Sequence, residues 1–144
     1  MKLSTRTRYA VRALIELALN EDNKPLQLKI IARRQDISIK YLEQLIAVLR
    51  SAGLVRSIRG SKGGYMLAKE PDKIVLSDVF HCLEGNANTS ECVEDKDYCQ
   101  RAADCAARQV WTQVQQAIEE VLQSITLRDL VDNTKKREDL NYQI

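Results

Sequence analysis

Apolar residues in the first third of the chain recur at helical steps in three successive blocks. Ala10, Ala13, Leu14, Leu17 and Ala18 mark one face of a first helix that starts after Ser4 and runs to Asn20, with Arg6, Arg8 and Arg12 outside. Glu21-Asp22-Asn23-Lys24-Pro25 reads as a turn, and Leu28, Ile30 and Ile31 belong to a short helix ending near Arg33-Arg34. After the link Asp36-Ile37-Ser38, a third block sets Ile39, Leu42, Leu45, Ile46 and Leu49 on one face. Lys40, Glu43, Gln44, Ala47 and Ser51 take the other. Ser38 is a good N-cap for this helix and Gly53 a good residue just past its end.

The period then shortens. Residues 54–59 (LVRSIR) and 65–68 (YMLA) read as short strands joined across Gly60-Ser61-Lys62-Gly63-Gly64, where glycines supply the positive φ of a hairpin tip. Two short helices joined by a tight turn, the second with a polar outer face and a hairpin after it, make a winged helix-turn-helix. Beyond the hairpin, Glu70-Pro71-Asp72 is a break, and Ser77 is positioned to cap a short helix through Val79, Phe80 and Leu83 that Gly85 ends. Residues 86–104 show neither period and read as an exposed loop. From about Cys105 to Ile125 a long helix carries a wide apolar stripe of Val110, Trp111, Val114, Ala117, Ile118, Val121, Leu122 and Ile125, which is most economically covered by a second copy of itself. Thr126-Leu127-Arg128-Asp129 resembles a capping box opening a last short helix, and the charged segment from Asn133 to Ile144 reads as a disordered tail.

The predicted fold class is mainly α with a small β-hairpin wing: a winged helix-turn-helix DNA-binding domain plus a long C-terminal dimerisation helix. Its expected divisions are 1–84 (winged domain), 85–104 (cysteine-bearing loop), 105–132 (dimerisation helix and closing short helix) and 133–144 (tail).

Charge sharpens this reading. Residues 1–70 hold 14 Lys and Arg against 6 Asp and Glu, 14 − 6 = +8, whereas residues 71–144 hold 8 against 14, 8 − 14 = −6. The total of +2 therefore hides a basic half that also carries the helix and wing, as phosphate binding requires. A chain of 144 residues supports one core. No apolar run approaches the roughly 20 residues of a membrane span, and the N-terminus has no secretory pattern, so a cytoplasmic location is expected. An enzyme is disfavoured by the lack of a phosphate-cradling loop, of a nucleophile–histidine or paired-carboxylate constellation, and of any histidine besides His81.

Three of the four cysteines, Cys92, Cys99 and Cys105, lie in the irregular loop or at its edge with spacing C-x6-C-x5-C; Cys82 reads as a core residue. Thiols grouped in a reducing compartment suggest metal or redox chemistry. The close pairs typical of structural zinc are absent, and the wider gaps suit an iron–sulfur cluster. A fourth ligand must come from elsewhere: His81, a carboxylate such as Glu84, Asp97 or Asp104, or a partner subunit.

The basic first helix, the YLEQL segment (Tyr41 to Leu45), the GLV-x-S-x-RG-x-x-GGY wing (Gly53 to Tyr65), the three-cysteine loop and the closing TL-x-DLV (Thr126 to Val131) together resemble the IscR-type iron–sulfur cluster regulators of the bacterial Rrf-two winged-helix family. The resemblance covers residues 1 to about 132. It implies a homodimeric transcription factor that holds a 2Fe-2S cluster on Cys92, Cys99 and Cys105, binds a near-palindromic double-stranded operator, controls cluster-assembly genes and receives its cluster from assembly proteins. The cysteine set separates the chain from the CymR branch, and YLEQL and TL-x-DLV favour the IscR branch over the nitric-oxide-sensing NsrR branch. Two positions depart from the pattern. Arg108 stands where IscR-type proteins place a ligating histidine, and Lys40 where they often carry a small residue.

For DNA, Gln44 is the best candidate base reader, since an amide pairs with adenine N6 and N7. Ser38, Lys40, Tyr41 and Arg50 are expected at phosphates or in mixed contacts, and Glu43 either accepts from cytosine or rejects other sequences. Arg59 and Lys62, on a tip made by Gly60, Gly63 and Gly64, are expected in the minor groove. The alternatives are a regulator sensing nitric oxide or redox state through the same cysteines, and an adaptor for a sulfur-metabolism enzyme.

Overall fold

A computed structural model describes residues 3–20 and 24–143. The elements are α1 (Thr5–Leu19), α2 (Leu28–Gln35), α3 (Ile39–Ser51), β1 (Val55–Ile58), β2 (Gly64–Leu67), a 3-10 turn (Pro71–Lys73), α4 (Leu76–Glu84), α5 (Glu91–Glu94), α6 (Ala106–Ser124) and α7 (Leu127–Tyr142). The turn expected over residues 21–25 falls largely outside the described residues.

The helix ends explain the element order. Ser4 caps α1 by accepting from the Thr7 N–H at 3.3 Å, and Ser38 caps α3 by accepting from the Tyr41 N–H at 3.1 Å. At the other end of α3 the Gly53 N–H donates to the Arg50 carbonyl and the Leu54 N–H to the Leu49 carbonyl, with Gly53 at φ 75°. These two bonds satisfy carbonyls the helix leaves open and drive Leu54 into the core. The end of α2 repeats this arrangement with Asp36 at φ 52° in the left-handed place and Ile37 turned inward. The reversal after α2 gives the tight corner into α3, and the one after α3 turns the chain into β1.

The fully buried side chains of Leu14, Ile31, Leu42, Leu45, Ile46, Leu49, Ile74, Val79 and Val131 form one core beneath α1, α3 and α4. The hairpin is antiparallel, pairing Val55 with Leu67 and Ile58 with Gly64. Leu26 adds a single bridge to Tyr65, exchanging both backbone bonds at 2.9 Å, and so ties the start of the helix-turn-helix to the wing.

Several expectations change. Ile39, assigned to the core face, is 47% exposed because it begins α3, before the helix reaches the core. Ser77 lies inside α4, whose cap position is Val75; a bridge from Val75 to Thr126 starts the helix earlier. Residues 86–104 contain the short helix α5. The closing helix returns to the winged domain: the Leu127 N–H donates to the Ile74 carbonyl and the Leu76 N–H to the Ile125 carbonyl, both at 2.8 Å, and Leu127 and Val131 join the common core. Nor does this helix stop near residue 132. The segment read as a disordered tail is helical to Tyr142, because the Thr126–Asp129 capping box starts a helix that no glycine or proline then interrupts. Cys82 is half-buried, with its thiol 3.1 Å from the Val79 carbonyl, and burial pushes its pKa up.

Candidate nucleic-acid interface and cysteine loop

The outer face of α3 presents Lys40, Glu43, Gln44, Ala47 and Arg50 to solvent over a layer of Leu42, Leu45, Ile46 and Leu49. Exposed Ile39 joins this face at its N-terminal end, where an apolar group can meet a thymine methyl. Ser38 spends one acceptor on the Tyr41 amide, which leaves its O–H free to donate. Tyr41 is half-buried and meets Tyr9 edge-on, with ring centroids 6.2 Å apart, while the Arg12 guanidinium lies 5.1 Å from the Tyr9 ring centre. Arg12 also donates to the Gln35 side chain, and Gln35 and Arg34 both donate to Glu16. Tyr41 is thus part of a polar and aromatic seam that fixes α3 against α1 and α2. Sequence reasoning missed Tyr9, Arg12 and Gln35 in this role, because the seam joins residues from three helices and no local spacing marks it.

In the wing, Arg59, Gly60 and Lys62 are exposed, whereas Gly63 and Gly64 are half-buried and closely packed. A side chain at Gly63 would meet the Ile58 carbonyl at 2.2 Å, and one at Gly64 the Leu26 carbonyl at 2.7 Å. These two glycines are therefore needed to close the turn and to admit Leu26. The projecting cations are Arg59 and Lys62.

Cys99 is exposed, Cys92 and Cys105 are half-buried, and all three are free thiols. They are not gathered: among the described residues no group of three or more His, Cys, Asp or Glu is placed to hold a metal ion. The loop is held by its backbone and by α6. Thr89 donates to the Trp111 carbonyl at 2.9 Å, and the Cys92 thiol lies 3.0 Å from the Ser90 hydroxyl. Arg108 reaches back so that its Nε donates to the Cys92 carbonyl at 2.8 Å. Two open candidates for a fourth ligand are engaged elsewhere. His81 Nε2 lies 3.0 Å from Glu119 and links α4 to α6. Glu84 accepts at one oxygen from the Ser4 N–H at 3.1 Å and from the Ser4 and Thr7 hydroxyls, and these bonds, the Ser4 hydroxyl's first, hold its carboxyl below the usual range.

From α6, Val110, Trp111, Val114 and Val121 are each more than two-fifths exposed, and no residue of the helix is buried. The apolar stripe legible in the sequence thus lies uncovered in the single chain. No helix among the described residues is long and apolar enough to cross a membrane.

A reading helix on a tight corner, a bridged basic wing and an outlying apolar helix define a winged helix-turn-helix regulator of transcription. The chain belongs to the Rrf2 family, whose model, described as an iron-dependent transcriptional regulator, matches residues 3–133. It is 44% identical to the transcriptional regulator CymR of Bacillus subtilis across 93% of this chain and 92% of that one. It is 38% identical to the transcriptional regulator IscR of Klebsiella pneumoniae, across 92% and 81%. The solved structure of T. potens IscR superposes with a TM-score of 0.78 at 42% identity, covering 95% of this chain and 90% of that one. The solved structure of CymR, the global cysteine regulator of B. subtilis, gives a TM-score of 0.79 at 43% identity, covering 92% of this chain and 98% of that one. Overall similarity thus extends to both kinds of regulator, and the loop cysteines and Arg108 bear on the choice between them.

Proposed function

We propose that this chain is a homodimeric, sequence-specific DNA-binding regulator that reports iron–sulfur cluster status through Cys92, Cys99 and Cys105 and controls cluster-assembly genes. The observation that carries the reading is the pairing of an exposed polar face on α3 with three accessible thiols in one loop anchored to α6. Cys92, Cys99 and Cys105, free of disulfides on one short segment, would supply three of the four donors that a 2Fe-2S cluster takes. When bound, a cluster supplies a group whose presence follows iron, sulfur and oxidant supply. The chain's own residues carry the response. Ordering of residues 86–105 acts on α6 through Thr89 and Arg108, and α6 acts on α4 through the Glu119–His81 contact.

On DNA, each subunit lays α3 in a major groove with its wing tip in the adjacent minor groove, so the pair reads half-sites about 34 Å apart. Gln44 reads a base, Arg59 enters the narrow groove, and Lys40, Arg50 and Lys62 hold phosphates. Arg59→Ala should weaken specific binding far more than binding to random duplex, measured by fluorescence anisotropy; equal losses would reduce Arg59 to a phosphate contact. Anaerobic reconstitution followed by absorbance and duplex titration tests the sensor. The triple variant of Cys92, Cys99 and Cys105 to Ala should lose both the absorbance and the cluster-dependent change in affinity, and retention of either refutes the cluster reading.

A second reading is favoured by Arg108. A guanidinium cannot ligate, and here it is committed to the Cys92 carbonyl, while the similarity to a global cysteine regulator extends over nearly the whole chain. In that reading the same thiols respond to redox state with no cluster. Operator affinity that changes on thiol oxidation of iron-free protein supports it.

A further inference from the structure

A cavity of about 570 Å³ opens between the C-terminal half of α1, the base of the hairpin, the 3-10 turn and α7. Among the described residues its charged lining is mostly basic: Lys24, Arg56, Lys69, Arg128 and Lys135 surround it, with the carboxylate of Glu70 beside them. Neither the wing tip nor the outer face of α3 contributes to it. The cations converge by tertiary structure. Arg128 and Lys135 are seven residues apart on α7 and so share one face, while Arg56 sits opposite Met66 in the hairpin register with its Nη2 donating to the Met66 sulfur at 3.7 Å. Among the described residues no ion pair joins Arg56, Lys69 or Arg128 to a carboxylate. Arg56, Lys69 and Arg128, gathered around a concavity with no carboxylate partner among the described residues, repel one another and focus a positive potential into it, which an anion relieves. Its volume falls in the range of small-molecule sites, roughly 300–1,000 Å³, and Leu17 and Leu67 offer apolar wall beside the charges.

We propose that this cavity binds a small organic anion carrying two or more negative charges, as phosphates or carboxylates. DNA is disfavoured as the occupant because Arg56, the hairpin's cation in the cavity, lies three residues, about 10 Å along the strand, from Arg59 at the tip. Guanidinium groups of Arg56 and Arg128 supply forked donors suited to phosphate or carboxylate oxygens, and Lys69 adds charge.

Isothermal titration calorimetry on the full-length protein at low ionic strength, with ADP, pyrophosphate and citrate as separate probes, tests the site. Saturable binding of at least one probe at one per chain is expected, weakened about tenfold or more in Arg56→Ala/Arg128→Ala and unchanged in Lys62→Ala, whose cation lies on the wing tip. Both arginines are exposed, and an unchanged melting temperature verifies that the double variant folds; Lys69→Gln gives an independent second loss. No saturable binding at millimolar probe overturns the proposal, as does equal weakening by Lys62→Ala. So does a double variant that binds the probes normally but loses affinity for random duplex with a shallower salt dependence, which would assign the cations to the DNA backbone.

Discussion

The winged domain and the α6 arm use apolar side chains in opposite ways. Beneath α3, Leu42, Leu45, Ile46 and Leu49 are at most 1% exposed, while along α6 Val110, Trp111, Val114 and Val121 are 42% to 57% exposed. The two stripes look alike in the sequence, since each follows the helical period. The difference lies in what stands opposite. α3 is closed by α1, α2 and the hairpin within one chain, whereas α6 packs mainly on α4 and α5 and leaves most of its apolar face uncovered. The outer face of α3 is therefore positioned by contacts within one chain, whereas those contacts leave the apolar face of α6 open.

The largest effect should come from the closed side. Leu45→Ala removes a fully buried side chain and leaves a cavity under the reading helix, so a loss of about 3 kcal/mol is expected in urea unfolding. By contrast Val110→Ser/Val114→Ser should keep the helical circular dichroism and shift the protein toward monomer in sedimentation. A double variant that stayed fully dimeric would erase the contrast between the two stripes.

Val131→Ala comes next, at about 2 kcal/mol, because Val131 is fully buried in the winged core although it follows the arm in sequence. Unfolding unaffected by this change would return α7 to the arm. Thr126→Ala removes the hydroxyl that accepts from the Asp129 N–H at 3.3 Å and half of the capping box, an expected loss of about 1 kcal/mol by the same measurement.

The smallest effect concerns the seam between α1 and α4. Glu84's folded pKa lies below its ordinary value, so the stability it contributes is present above the ordinary carboxylate range and is lost as pH falls through the folded value. Glu84→Gln should lower the melting temperature on the neutral plateau and so flatten its acid limb. An identical acid limb would detach this carboxylate from the fold's acid sensitivity.

Much of the winged domain was legible because its signals are local. Ser4, Ser38 and Gly53 mark helix ends through their own hydrogen-bonding and backbone preferences, and the Thr126–Asp129 box was readable four residues at a time. The exposed faces of α3 and the wing followed from the same periods. What escaped was pairing at a distance. Leu26 joins the hairpin across a gap of 39 residues, Val75 meets Thr126, and Glu84 closes on Ser4 and Thr7. In the cysteine loop the thiols themselves were plain, yet the commitments of His81 to Glu119 and of Arg108 to the Cys92 carbonyl depend on how α4, α5 and α6 meet.

The sequence by itself determined the helices of the winged domain and the long helix α6, where the hairpin turns and which half is basic, since those depend on side chains acting within a turn or two of their own backbone. The tertiary structure alone decided that α7 seals the core it left at α4, that Tyr41 rests on Tyr9, and that cations from α7 and the hairpin share one cavity. Such meetings join positions tens of residues apart, and their geometry is fixed by how whole elements pack, which no local pattern of side chains encodes.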